Sequence, residues 1–181
     1  MASESVLADN IAKSKIAPNI GIASENREYV VKILATLLAD EYVLYTKTRK
    51  YHWNVTGSRF QQLHEFFKVQ YTQLEVIVDD VAERIPQLGG KAVATLEEFK
   101  QFTRLKEDAG QYPDANKMLS NLLNDHETII RSLRTDGDAC ADKYHDMGTN
   151  DFLIGLMELH EKTAWMIRAH VEEKSAQVAN I

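Results

Sequence analysis

The sequence predicts an all-α protein: four long helices in one bundle, with a single long connection between the second and third that carries a short extra helix. Three observations predict it. Apolar residues recur at spacings of three and four along four long stretches, the period of a helix that buries one face. Only 8 Gly and 3 Pro occur among 181 residues, so long unbroken helices are possible. No stretch alternates apolar with polar residues as a half-buried strand does, and no solenoid-length repeat is present.

Residues 1–20 lack helical period and run into Pro18, so they are expected to form a flexible arm. The bundle is expected over residues 21–175, with 176–181 as a tail. The first helix is expected from about Ser24, as N-cap, to about Val55, on a stripe of Val31, Leu34, Leu38 and Tyr45; Gly57 stops it. The second opens on Ser58-x-x-Gln61, a capping-box pattern. It continues on Phe60, Leu63, Phe67, Tyr71, Leu74, Val78, Val81 and Ile85 until Pro86 and Gly89-Gly90 end or kink it. A second capping box, Thr95-x-x-Glu98, starts a short helix over about 96–105, before the Gly110/Pro113 loop. The third long helix is expected from about Asp114 to Tyr144 on Leu119, Leu122, His126, Ile129, Leu133, Gly137 and Cys140. The fourth runs from about Asn150 to Ser175 on Leu153, Leu156, His160, Ile167 and Val171. Four such helices with one long crossover form the ferritin-like arrangement.

Composition bounds the function. A length of 181 residues suits one domain with a sizeable core. The single Cys140 excludes an intramolecular disulfide framework and fits a reducing compartment. The N-terminus has no basic-then-apolar signal pattern, and no run approaches the roughly 18 apolar residues of a membrane span, so a cytoplasmic location and no membrane contact are expected. The net charge of −6 favours cations as cargo and opposes nucleic acid.

Four residues carry candidate metal chemistry: His52, His64, Asp79 and Glu83. At ~100° per residue, His64, position 68, Asp79 and Glu83 share one helical face about 110° from the apolar stripe. At ~1.5 Å rise per residue, His64 and Asp79 lie ~22 Å apart on one helix, whereas metal–ligand bonds span about 2.0–2.5 Å. One copy of this helix cannot bring both ends to a single ion. An antiparallel second copy can: the pairs 64/83 and 68/79 share one midpoint, so a two-fold axis there sets His64 beside the other copy's Glu83. His52, near the end of the first helix, could complete each site. Nitrogen and carboxylate ligands of this kind suit iron, with zinc as a substitute. Spacing alone leaves the bland alternative open, since exposed Asp/Glu pairs at i,i+4 are commonly just solvated.

Longer motifs bear on that choice. Tyr51-His52-Trp53-Asn54-Val55-x-Gly57, Phe60-x-x-Leu63-His64-Glu65-x-Phe67, and Asp79-x-x-Ala82-Glu83-Arg84 closely resemble the signature of the Dps family of mini-ferritins. Glu161-Lys162-x-Ala164-Trp165-Met166 and the Tyr112-Pro113 loop resemble it too, over about residues 20–172. The resemblance implies a ferroxidase centre between two-fold-related subunits, with His52 and His64 from one chain and Asp79 and Glu83 from its mate. It also implies that Trp53 takes up oxidising equivalents, that twelve chains form a hollow shell, and that ferrous iron is oxidised by peroxide or dioxygen and stored as ferric mineral, protecting against oxidative stress. One position departs: where the family usually carries an acid four residues after His64, this chain has Lys68. Either its stem turns outward, leaving four ligands for one ion, or it pairs with Asp79 across the interface and competes with metal. The first outcome, one occupied site and a weakened second, is favoured; an assembled shell with impaired ferroxidase is the alternative.

Other features read as follows. No histidine has Glu three residues before it, which argues against a di-iron site inside the bundle. His126 and His160 lie on apolar stripes and are expected to be hydrogen-bonded core residues. Asp138, Asp142 and Asp146 repeat at i,i+4; they form either a solvated face or, in a shell, the lining of a cation-attracting pore. In the first twenty residues Lys13 and Lys15 are offset by Glu4 and Asp9, so weak or no DNA binding is expected, against the rival reading of a DNA-protecting structural protein.

Overall fold

The structure, a computed structural model, describes residues 11–178, with side chains characterised through residue 171. Helix α1 spans Ser24–Asn54, α2 Phe60–Gln87, α3 Leu96–Phe102, α4 Ala115–Asp138 and α5 Met147–Val178, with a π-helical turn at Ala139–Lys143. α1 packs chiefly along α2, α4 along α5, and the short α3 lies against α1. Four long helices with α3 in the one long crossover are the expected architecture. Residues 1–10 of the expected arm and 179–181 of the expected tail lie outside the described residues.

The core is the apolar stripes brought together: Leu34, Leu38 and Leu44 of α1, Leu63, Phe67 and Ile85 of α2, Leu119, Leu122 and Ile129 of α4, and Leu153 and Ile167 of α5, all buried. Removing such side chains from water at roughly 25 cal/mol per Å² is the main force holding the bundle. Two buried acids tie the crossover to α1. Asp40 accepts from the Thr103 hydroxyl and from the N–H and Nε of Arg104, at 2.6–2.9 Å. Asp125 meets Lys47 Nζ at 2.6 Å, and the same ammonium reaches the Lys106 carbonyl. Burial raises the Asp125 carboxyl and Lys47 opposes it.

Several ends differ from the sequence reading. α1 starts at Ser24, whose hydroxyl faces Glu28 rather than capping, and Ala23 holds the N-cap position. The Ser58 capping box does not form: Gly57, at φ 103°, turns the chain, and α2 begins one residue later behind Arg59. The Thr95/Glu98 box does form, with both hydrogen bonds present. α3 stops at Phe102, where Thr103 takes extended backbone and Asp40 holds the Thr103 hydroxyl and the Arg104 N–H. Pro86 sits inside the last turn of α2, which ends at Gln87.

The largest difference lies between α4 and α5. The π turn places an i→i+5 bond from Tyr144 N–H to the Ala139 carbonyl, His145 takes φ 57°, and Asp146 N–H returns to the Cys140 carbonyl at 2.8 Å. Asp146 is then 2% exposed and caps α5, accepting from Thr149 N–H at 2.9 Å, Thr149 hydroxyl at 2.6 Å and Arg84 at 3.3 Å. The even i,i+4 row of acids is therefore broken. Asp138 and Asp142 stay exposed, while Asp146 belongs to the α4–α5 corner and not to a pore lining.

Residues 12–14 strap the far end of α2, with Ser14 N–H on the Gly89 carbonyl and Lys91 N–H on the Ala12 carbonyl, both 2.9 Å. Gly90 lets the end of α2 sit against α1, since a Cβ there would lie 2.6 Å from Val31 Cγ1. Lys13, the first basic residue of the arm, is paired with Glu28 at 2.7 Å. Among the described residues no helix is long and apolar enough to cross a membrane.

Candidate metal centre

His52 closes α1 and His64 sits on the first turns of α2, so the short turn through Gly57 sets the two histidines side by side. Their rings stack with centroids 3.8 Å apart and planes 24° from parallel. Each ring nitrogen Nδ1 contacts the other residue's backbone carbonyl: His52 Nδ1 to His64 O at 2.7 Å, and His64 Nδ1 to His52 O at 2.9 Å. A carbonyl oxygen can only accept, so both Nδ1 atoms carry the hydrogen. In the neutral imidazole that tautomer leaves the lone pair on Nε2, the form that binds a metal, with orientation fixed by the other nitrogen.

Asp79 and Glu83 are exposed near the other end of α2, and Lys68 is exposed one turn beyond His64. The buried residues of this helix, among them Leu63, Phe67, Leu74, Ile77, Val81 and Ile85, occupy its opposite side. Among the described residues no three His, Cys, Asp or Glu side chains of one chain converge on a metal position. The chain thus joins the two histidines and leaves the two carboxylates apart from them. In one copy the four candidate residues do not meet, as the ~22 Å separation along the helix requires.

Arg49 is the residue near this site that sequence reasoning missed. Its guanidinium lies 5.4 Å from the Tyr45 ring centre, 5.2 Å from Trp53 and 5.1 Å from Tyr71, and it donates to the Tyr45 hydroxyl. That hydrogen bond raises the guanidinium above its ordinary range. Tyr71 in turn stands edge-on to His52, 5.2 Å away. The signal was legible: Tyr45, Arg49 and Trp53 fall at successive i,i+4 positions and must share one face. Trp53 itself is 66% exposed, so the aromatic group opens outward from the histidine pair. Arg49 Nε is buried without a hydrogen-bond partner.

Comparison with known proteins gives a consistent picture. A family model described as a ferritin-like domain matches residues 31–175. A low-temperature-induced protein of Nostoc, itself uncharacterised, is 46% identical over 154 residues, 85% of this chain and 86% of its own length. DNA protection during starvation protein 2 of Bacillus anthracis is 36% identical over 144 residues, 80% of this chain and 97% of that one. Among solved structures, DpsC from Streptomyces coelicolor superposes with a TM-score of 0.83 at 30% identity, over 88% of this chain and 92% of that one.

Proposed function

The chain belongs to the Dps family of ferritin-like proteins, and from that premise we propose that it oxidises ferrous iron at two-fold subunit interfaces and stores the ferric product inside a shell, protecting against oxidative stress. One observation carries the reading. Two histidines with Nδ1 anchored on backbone carbonyls stand at one end of a helix that carries the exposed acids Asp79 and Glu83 toward its far end. An inverted second copy supplies the missing carboxylates.

In this reading His52 and His64 of one subunit and Asp79 and Glu83 of its mate hold one ferrous ion as substrate. The mixed donors suit iron, and the two carboxylates offset the charge gained when it becomes ferric. Lys68 occupies the turn where a second ion would need an acid; by the same symmetry it faces the mate's Asp79, and the second ion is weakly held. Electron balance assigns Trp53 its role. Breaking the O–O bond of peroxide to two hydroxides takes two electrons, and one ferrous ion gives one. Trp53, next in sequence to His52, gives the other and recovers it from the next ferrous ion. Arg49 stacked on the ring makes that loss harder, which restricts it to the strongly oxidising peroxide reaction. Shells of twelve chains and a cytoplasmic setting accompany this proposal. Weak or absent DNA binding does too, since Lys13 is engaged by Glu28 and the net charge is −6.

Subunit mixing tests it. H64A alone and E83Q alone should each lose at least about 100-fold in initial iron-oxidation rate, because outer partners of metal ligands already cost 10–100-fold. Co-refolding the two variants should restore about one quarter of wild-type sites, because a mixed dimer rebuilds one intact site of its two. Mixed shells as inactive as their parents would show that the ligands do not come from different subunits.

A further inference from the structure

A second histidine pair lies inside the bundle, unconnected to the surface site. His126 of α4 and His160 of α5 are 3% and 1% exposed, and their Nδ1 atoms face each other at 2.9 Å. His160 Nε2 meets Oε1 of Glu41 on α1, also at 2.9 Å, and Glu41 is fully buried. The other carboxylate oxygen, Glu41 Oε2, is buried without a hydrogen-bond partner. A cavity of about 10 Å³ adjoins the two imidazoles, lined on its polar side by Gln70, Gln73 and Thr163. That is room for about one water-sized ligand. Glu41 precedes His52 by 11 residues on the same helix, ~16 Å along its axis, so the two histidine pairs are separate sites.

Two imidazole Nδ1 atoms at this distance require one electrophile between them, either a proton or a metal ion. We propose that the His126–His160 pair is a divalent transition-metal site within each subunit, bridging the two Nδ1 atoms. Several features fit. At metal–nitrogen bonds of about 2.0–2.1 Å in tetrahedral geometry the two nitrogens stand about 3.3 Å apart, so replacing the proton needs an opening of only about 0.4 Å. Glu41 accepting from His160 Nε2–H supplies the carboxylate behind a ligating histidine that orients the ring and strengthens it as a donor. The side-chain oxygens around the cavity and one water complete an ion of borderline softness, of the zinc or ferrous class. On binding, the bridging hydrogen moves to His126 Nε2, or leaves as a proton where His160 is an imidazolium.

Cobalt(II) titration of the chelator-stripped, assembled protein tests this. The wild type should bind one ion per chain that persists when His52 and His64 are both replaced by Ala, with the intense visible absorption of four-coordinate cobalt. H126L should lose that ion and its spectrum, and E41Q, which keeps both ligands, should weaken it about 10–100-fold. Zinc-soaked wild-type crystals should show an anomalous peak between His126 and His160, whatever the folding of the variants. No peak there, or an assembled H126L shell with wild-type cobalt stoichiometry and spectrum, would overturn the proposal and leave a proton as the sole occupant.

Discussion

The His52/His64 pair and the His126/His160 pair use the same side chain in opposite ways. In the first pair each Nδ1 is anchored on the other's backbone, and neither Nε2 has a hydrogen bond among the described residues. In the core both nitrogens of His160 are engaged, one by His126 and one by Glu41. In the proposed reading the first pair is an open half-site that a neighbouring subunit completes. The core pair is closed at both nitrogens of His160 within one chain, with Glu41 Oε2 left unpartnered. What separates them is where the carboxylate comes from: along a helix too long to bend back, or across the bundle from α1. A half-site can be altered with little cost to folding, whereas a closed network cannot.

The largest expected effect follows from that difference. H160A strands a buried carboxylate and leaves His126 without its partner. Breaking a buried pair of this kind costs about 3–5 kcal/mol. Denaturant unfolding of H160A should show that loss, while H64A should stay within about 1 kcal/mol of wild type. Equal losses for the two would erase the distinction between half-site and network.

Acid sharpens the comparison further. Around His126 the facing groups are His160 of α5, Glu41 of α1 reached through His160, and the uncharged Gln70 and Gln73 of α2. Burial, aided by the neighbouring His160, holds the His126 pKa well below 6.5. The unfolded chain therefore binds a proton that the folded chain refuses. Stability is complete above about pH 6.5 and declines below it, by up to about 1.4 kcal/mol per pH unit, until the depressed folded value is reached. Metal-free wild type should lose stability between pH 6.5 and 5 that H126L does not lose. Parallel pH profiles for the two proteins would show that His126 is not the responsible group.

The two sites were unequally legible in the sequence. The fold was readable because helical period repeats locally: Leu63, Phe67, Leu74, Val81 and Ile85 mark the buried side of α2 without reference to anything distant. The four candidate ligands were proposed from a pattern of the same local kind, since shared midpoints along one helix are one-dimensional. Glu41 was not. It meets His160 across 119 residues of sequence, and nothing in the spacing of α1 separates it from Asp40 beside it, which serves the crossover instead. Helix ends were misread where tertiary contacts overrode local preference, as when Asp40 shortened α3. Asp146 is the sharpest case. A row of acids at i,i+4 presumes an unbroken α-helix, and the π turn at Ala139–Lys143 removes that premise.

The smallest effect expected concerns Lys68, and it decides how much the open site can do. The lysine is exposed, so its charge is screened and flexible rather than locked in place. Replacing it with Glu exchanges a cation for a carboxylate one turn from His64, on the face proposed to meet the mate's Asp79. At an exposed position such a change should strengthen binding of a second ferrous ion by about tenfold, or about 1.4 kcal/mol. Anaerobic iron titration of K68E should then approach two ions per site where wild type holds one, and oxidation should need less help from Trp53. Placing W53F in both backgrounds checks this, because the substitution should slow peroxide consumption in wild type more than in K68E. If K68E still binds a single ion, the lysine never stood in the way, and the limit lies instead with Arg49, whose charge sits among Tyr45, Trp53 and Tyr71 behind the same histidines.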